Sequence, residues 1–143
     1  MIEMLKRLSP VPIEFVDEMI DWGYSGMFWD EKGSLVGHPY IEILDSLEEH
    51  EKIAVLAHEI GHAICKEKNC ECFKVYKKNP ALVEIHAYKY DLNWLLKHKQ
   101  KRALKYEIRQ LELHVENRSD HYTEAAKHIM KLKLWQKCLD YVK

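Results

Sequence analysis

The sequence predicts an α+β fold in which a small N-terminal β-sheet packs on a helical core and is followed by C-terminal helices. Between residues 24 and 44, aromatic and β-branched residues surround turn-forming glycines, as in short strands. From residue 45 onward, helix-capping residues precede stretches with apolar side chains every three or four positions. With 143 residues, 47% hydrophobic and 31% charged, the chain is expected to form one globular domain over residues 1–143.

Short elements are predicted in the N-terminal part. Residues 1–8 form a helix stopped by a Ser-Pro-Val-Pro segment, and residues 12–22 form a second helix that ends at Gly23. Residues 24–36 are predicted as a β-hairpin around an Asp-Glu-Lys-Gly turn. Tyr40–Leu44 follows a glycine and a proline, and its alternating pattern predicts a further strand.

Longer helices are predicted after the strands. Ser46 and Glu49 form a capping-box pattern, with Asp45 as an alternative cap, that opens a helix reaching about residue 66. An Asn-Pro pair at residues 79–80 opens another, which reaches about residue 96. Two more follow: one carries Leu104, Ile108, Leu111 and Val115, and the last runs from Ser119 or Asp120 to about Val142.

Residues 97–143 form a predicted helical extension with a net charge of +6, whereas residues 1–60 carry −9 and residues 61–96 carry +2. The basic residues are interleaved with glutamates and apolar residues at helical spacing, which predicts a solvated helix face. A surface for nucleic acid or an acidic partner is the alternative. Direct DNA binding is not expected, because the extension has no helix-turn-helix pattern.

The clearest functional pattern is His58-Glu59-Ile60-Gly61-His62. Residues four apart share a helix face, so His58 and His62 can reach one metal ion. Glu59 lies about 100° around the helix, where its carboxylate can accept a proton from water. Apolar residues cover most of this helix and predict its burial, and buried histidines need polar partners. A metal ion satisfies both histidines at once; two hydrogen-bonded core histidines are the alternative.

A third ligand is expected from the helix over residues 79–96. Glu84 and His86 lie about 200° apart around this helix, so only one of them can face the site. Glu84 borders the apolar face and is the predicted ligand, whereas His86 lies on the polar side and is predicted to be an ordinary exposed histidine. Asp91, two turns beyond Glu84, could orient a ligating histidine. A surface carboxylate is the alternative for Glu84, and a surface salt bridge for Asp91.

The four cysteines are Cys65, Cys70, Cys72 and Cys138. The first three lack the paired C-x-x-C spacing of known zinc sites, so they are predicted to be free, reduced thiols, with a structural zinc site as the alternative. The sequence also has no apolar run of about 18 residues and no signal-peptide pattern, so a cytoplasmic protein that does not span a membrane is expected.

The ImmA/IrrE-type zinc metallopeptidases resemble this sequence over roughly residues 12–96. The shared features are a short strand, the Ser-x-x-Glu cap, the segment LAHEIGHAI and Glu84-x-x-Ala87. These cytoplasmic proteins are often encoded by phages and mobile elements, and the resemblance implies a zincin-type core over residues 1–96, with an HExxH helix and a Glu-bearing helix. It further implies cleavage or inactivation of a helix-turn-helix repressor. The implied site has one Zn²⁺ per chain on His58, His62 and Glu84, with Glu59 as the base.

Peptide hydrolysis needs two further features. Tyr88 or Tyr40 could donate a hydrogen bond to the oxyanion, and Tyr40–Leu44, if it lies at a sheet edge, could pair with an extended substrate. Two alternative functions remain open. One is a non-catalytic anti-repressor or protein-binding module with a zincin fold, and the other is a SprT-like protease that uses His86 as the third ligand. The sequence does not determine the oligomeric state.

Overall fold

The computed structural model describes residues 1–19 and 24–143. Over these residues the fold is α+β, with three strands and seven helices. No helix in these ranges is long and apolar enough to cross a membrane. The elements, in chain order, are α1 Ile2–Leu8, β1 Ile13–Val16, β2 Gly26–Trp29, β3 Tyr40–Leu44, α2 Glu49–Glu67, α3 Glu71–Lys74, α4 Ala81–Lys97, α5 Lys101–Asn117, α6 His121–Ile129 and α7 Lys133–Val142.

The three strands form one sheet in the order β1-β3-β2. β1 runs parallel to the central strand β3, with Ile13 opposite Ile41, and β2 runs antiparallel to β3, with Phe28 opposite Ile41. Ile41 and Ile43 of β3 are fully buried. The predicted strand at Tyr40–Leu44 is therefore confirmed, and it lies in the middle of the sheet.

Two N-terminal predictions are corrected. Residues 13–16 form a strand instead of part of a helix, because their backbone pairs with β3, which lies too far along the chain for local periodicity to reveal. The end of the predicted helix, with Ile20 and the stop at Gly23, lies outside the described residues. β2 pairs with β3 and not with a strand after the turn. The turn itself is present, because the Asp30 carboxylate accepts hydrogen bonds from the backbone N–H groups of Lys32 and Gly33.

Helix boundaries agree closely with the prediction in α1, α2 and α4, and α5 contains the four apolar residues predicted for the third long helix. The cap of α2 is shifted, since Glu48 and Glu51 form the capping box in place of Ser46 and Glu49. Helix α4 starts one residue later than predicted, with Pro80 as its N-cap. Asp120 is the N-cap of α6, and it is one of the two N-cap residues that the sequence predicted for the last helix. The predicted last helix is divided into α6 and α7, because the backbone of Leu132 between them is extended. Trp135 and Cys138 of α7 are buried in the core.

Helix α2 lies at the centre of the fold, and α4 packs closely against it. The predicted apolar face of α2 is buried, and its residues Leu56, Ala57 and Ile60 have no exposed surface. At the crossing, a Cβ added to Gly61 would lie 3.1 Å from the Ala87 Cα. Helices α5, α6 and α7 also join this core through fully or almost fully buried residues that include Leu104, Leu111, Ile129 and Trp135.

The sheet packs on α2 through a second close approach, at Gly26 in β2. A Cβ added there would lie 2.5 Å from Val55 Cγ1 on α2 and 3.0 Å from Ile43 Cδ1. Valine is stiff at χ1 in a helix, so it cannot easily move aside. Gly26 is therefore required for β2 to lie against α2.

We expect Gly26→Ala to lower the free energy of unfolding by about 1–3 kcal/mol, as overpacked core positions do. Adding Val55→Ala should recover part of this loss, so that the double variant is less destabilised than the sum of the two single variants. Gly33→Ala is the control, since its Cβ would meet Trp29 at an ordinary 3.4 Å. Urea denaturation of all four variants measures these differences, and additive effects of Gly26→Ala and Val55→Ala would contradict the proposed contact.

Candidate metal centre

Helices α2 and α4 bring together one nitrogen atom of His58, one of His62 and one carboxylate oxygen of Glu84. Glu84 Oε1 lies 3.0 Å from His58 Nε2 and 3.3 Å from His62 Nε2. The two histidines are one turn apart on α2, and Glu84 reaches them from the first turn of α4 because Gly61 and Ala87 let the helices approach closely. These three residues could hold a metal ion.

The spacing of these atoms fits a tetrahedral ion. Zinc bonds of about 2.0–2.2 Å to nitrogen and oxygen place neighbouring ligand atoms about 3.3–3.6 Å apart; the 3.3 Å separation from His62 lies in this range, and the 3.0 Å separation from His58 is slightly shorter. The donor set of two imidazoles and one carboxylate, with room for a fourth ligand, is also one that catalytic zinc sites use. The residues present therefore fit a divalent metal.

His58 is held from both sides by carboxylates. Its Nδ1 lies 2.8 Å from Oδ2 of Asp91, which is fully buried on α4, while its Nε2 faces Glu84. A neutral imidazole can donate from only one nitrogen, so a ring with carboxylates at both nitrogens needs an additional cation, either a proton or a metal ion. An Nδ1–H donor to Asp91 would leave the Nε2 lone pair free for a metal.

The ionisation of these groups follows from their mutual contacts. Burial by itself lowers the pKa of His58, but the hydrogen bonds to Asp91 and Glu84 outweigh it and raise the pKa well above its usual value. Burial raises the pKa of Glu84, but the charge of His62 and the contacts with His58 hold it below its usual range. At neutral pH the site therefore contains an ionised Glu84 carboxylate that attracts positive charge.

Glu107 on α5 is a buried carboxyl that the sequence analysis did not single out. It lies near Asp91 and His58, and their side chains form another group of three that could hold an ion. Burial and the neighbouring Asp91 carboxylate raise the pKa of Glu107 well above its usual range. Asp91 Oδ1 has no hydrogen-bond partner among the described residues. A protonated Glu107 carboxyl, which stays neutral when buried, can direct its proton toward Asp91.

Glu59 lies beside the three donor atoms but is not one of the residues in that group. Its side chain is 7% exposed and lines a cavity of about 660 Å³. Burial raises the pKa of Glu59, although the charges of His62 and His58 oppose this shift. A carboxylate with a raised pKa is a better proton acceptor than an exposed glutamate, which suits a general base.

Several elements build the walls of this cavity. The outer strand β2 forms one side, α2 and α4 form the floor, and α5 with the start of α6 forms the other side. His114, which the sequence analysis did not single out, also lines the cavity. The principal residues that line the cavity are Gly26, Phe28, His58, Glu59, His62, Glu84, Tyr88, Glu107, His114, Arg118 and Tyr122.

The backbone of β2 presents hydrogen-bonding groups away from the sheet. Leu44 N–H donates to the Ser25 carbonyl at 2.9 Å, so this pair is hydrogen-bonded. Because such pairs alternate along antiparallel strands, the backbone groups of Gly26 and Phe28 point away from β3. No other strand of residues 1–19 and 24–143 pairs with that edge. The prediction of a substrate-pairing edge at Tyr40–Leu44 is wrong, since β3 is central; of the two outer strands, β1 and β2, it is β2 that lines the cavity.

The two candidate tyrosines lie in different places. Tyr88 lines the cavity, and its ring centre is 4.4 Å from that of His58. Tyr40 is not brought to the cavity, because its hydroxyl faces Glu42 at 3.4 Å. Of the two proposed oxyanion donors, only Tyr88 is therefore near the site.

His86 is not the ordinary exposed histidine that the helix periodicity predicted. Its Nδ1 lies 3.3 Å from Cys70 Sγ, and its side chain lies among three cysteines, away from Glu84. Periodicity within α4 could not reveal this, because the cysteines approach from α2 and α3. Cys65, Cys70, Cys72 and His86 could hold an ion of their own.

Comparison with known proteins finds no relative of this chain. No family model, curated protein or solved structure matches it.

We expect Glu107→Gln to stabilise the metal-free protein at neutral pH. Because burial raises the pKa of Glu107 in the folded state above the unfolded value of about 4.3, its favourable contribution is present at low pH. That contribution is lost as the pH rises through the folded-state pKa. Glutamine keeps the shape without titrating, so the stability advantage of the variant should grow as the pH rises above about 4.3.

Urea unfolding in the presence of EDTA, at several pH values, measures this advantage. Glu112→Gln on the same helix is the matched control and should show little change, because the half-exposed Glu112 carboxylate is already hydrated. An advantage of Glu107→Gln that stays constant across the pH range would contradict the expectation.

Proposed function

We propose that this protein is a zinc-dependent endopeptidase of the ImmA/IrrE type, with a zincin-type core. The observation that carries the proposal is the convergence of His58, His62 and Glu84 next to a buried Glu59. These residues lie at a cavity bordered by a free strand edge. Metal donors, a general base and a peptide-binding edge are the three parts that metal-assisted peptide hydrolysis requires.

The three donor residues would hold Zn²⁺. The ion, when bound, supplies Lewis acidity toward the scissile carbonyl and the attacking water. Asp91 accepts a hydrogen bond from His58 Nδ1, which fixes the orientation of that imidazole. The orientation of His58 would thus be fixed before the substrate arrives.

Glu59 is the proposed general base. Its carboxylate accepts the proton of the attacking water and then donates it to the nitrogen of the leaving amine. The same residue can perform both steps because it lies within the cavity, beside the three donors. Its buried environment, which raises its pKa, favours this proton exchange near neutral pH.

The oxyanion that forms on the scissile carbonyl needs a hydrogen-bond donor. Tyr88, His114 and Tyr122 all line the cavity. Burial raises the pKa of Tyr88 and of Tyr122 and lowers the pKa of His114, so the three side chains are neutral at neutral pH. Each therefore keeps a proton to donate, and Tyr88 is the one adjacent to His58.

The free edge of β2 is the proposed substrate-binding strand. An extended peptide paired with Gly26 and Phe28 would lie along the cavity wall, next to Glu59 and the metal donors. Such a mode selects an unfolded or flexible segment, because a helix has no free backbone groups to pair. An accessible linker in a helix-turn-helix repressor, the substrate class that the resemblance implies, meets this requirement.

The SprT-like alternative is not supported by the position of His86. That alternative needs a third histidine at the metal, whereas His86 lies among the cysteines. The non-catalytic alternative, in which the fold only binds a partner, is distinguished by the following experiment.

We expect Glu59→Gln to lower peptidase activity by about 10²–10⁴-fold, the usual contribution of a general base, without lowering the zinc content. Cleavage of a mixed peptide library, followed by mass spectrometry, measures the activity. Glu67→Gln, at the exposed end of the same helix, is the control and should remain active. Equal activity of Glu59→Gln and wild type would exclude Glu59 as the base, and no activity in either would favour a binding module.

We expect Glu84→Ala to weaken zinc binding at this site by more than the roughly 10–100-fold that loss of an outer hydrogen-bond partner costs. Asp91→Ala should fall within that smaller range, because Asp91 acts through His58. Competition with a zinc chelator measures both affinities, with Glu112→Ala as the control. Wild-type affinity in Glu84→Ala would show that Glu84 is not a ligand.

A further inference from the structure

A second cluster of metal-binding side chains lies on the other side of α4 from Glu84. Cys65, Cys70, Cys72 and His86 have donor atoms that all lie within 4.8 Å of one another. His86 Nδ1 is 3.3 Å from Cys70 Sγ and 3.8 Å from Cys65 Sγ. These residues play no part in the peptidase site proposed above.

The chain folds back on itself to bring these residues together. Cys65 lies in the last turns of α2, and the backbone N–H of Cys70 donates to its carbonyl oxygen at 2.9 Å. Asn69, with a φ of 54°, makes the reversal between them. Cys72 on α3 then points into the protein and is fully buried, and His86 reaches the cluster from α4. Three separate elements thus meet at one point.

Simple burial of free thiols does not explain this arrangement. A buried free cysteine behaves as a small apolar residue, which accounts for Cys72 alone. Cys65 and Cys70 are only partly buried, and each has an imidazole nitrogen within 4 Å. Most of residues 67–79 is exposed, so the segment has little apolar surface to hold it in place.

We propose that Cys65, Cys70, Cys72 and His86 form a structural Zn²⁺ site. Three thiolates and one imidazole complete a closed tetrahedral shell, the arrangement of structural zinc. Zinc bonds of about 2.3 Å to sulfur and 2.0–2.1 Å to nitrogen place a sulfur and a nitrogen ligand atom about 3.5–3.6 Å apart, and the separations of His86 Nδ1 from the two sulfur atoms, 3.3 Å and 3.8 Å, lie on either side of this range. Soft thiolate donors select zinc over magnesium or calcium. The protein would therefore hold two zinc ions per chain.

This second ion has a consequence for the cavity. Phe73, next to Cys72, and Tyr76 both line the cavity, and the Phe73 ring contacts that of Phe28 on β2 at 6.4 Å between centres. An ion at the cysteines fixes α3 against α2 and α4. It therefore fixes the cavity wall that α3 and the residues after it supply.

Zinc content of the full-length protein tests the proposal. Protein purified under reducing conditions, saturated with Zn²⁺ and freed of excess metal, should contain two zinc ions per chain by mass spectrometry of the metal. Cys70→Ser and His86→Gln should each lose one ion, whereas Cys138→Ala, a buried cysteine outside the cluster, should keep both. Equal zinc content in wild type, Cys70→Ser and His86→Gln would overturn the proposal.

A His58→Gln/His62→Gln double variant separates this site from the peptidase site. It should lose the other ion and keep the one at the cysteines, so failure of either proposal is recognised independently. Co²⁺ substitution provides a second, spectroscopic test of the same site. Thiolate ligands give bound Co²⁺ an intense near-ultraviolet charge-transfer band, which should appear in wild type and in the double variant and disappear in Cys70→Ser. Absence of this band from Co²⁺-loaded wild type would also overturn the proposal.

Discussion

The close contact between α2 and α4 is the constraint on which the rest of the structure depends. Gly61 has no side chain and Ala87 has a short one, so the two helix backbones meet at a distance that larger residues would prevent. Only at this distance does Glu84 Oε1 reach both histidines of α2. The Gly in His-Glu-Ile-Gly-His and the Ala in Glu84-x-x-Ala87 thus have a packing role that explains why they accompany the polar residues.

Buried charge is the second theme of the fold. Asp91, Glu84 and Glu107 are all buried near two histidines, an arrangement that would be costly for isolated ions. The cost is reduced because each group compensates for another: His58 bridges Glu84 and Asp91, and Glu107 is neutral when protonated. A divalent ion would complete this compensation at Glu84. The polar core therefore favours occupation by a cation.

The sequence predicted those features that depend on local pattern and missed those that depend on distant partners. Helix α2 and the position of Glu84 follow from caps and periodicity, whereas β1 forms because β3 lies beside it. His86 was assigned to the polar side of α4, because its cysteine partners lie on other elements. Glu107 is different, since its place among Leu104, Ile108 and Leu111 on the apolar face of α5 was a readable signal of a buried carboxyl.

The two sides of the cavity carry different kinds of residues. The floor holds the metal donors and the base, while the wall formed by Gln110, His114, Arg118 and Tyr122 lies outside the group that could hold the ion. Under the proposed function, substitutions of Gln110 and Arg118, which have no part in the proposed hydrolysis, can alter which peptides are accepted and leave the metal donors and the base intact. Because the two groups of residues are separate, peptide selectivity can change without any change in the residues that carry out hydrolysis.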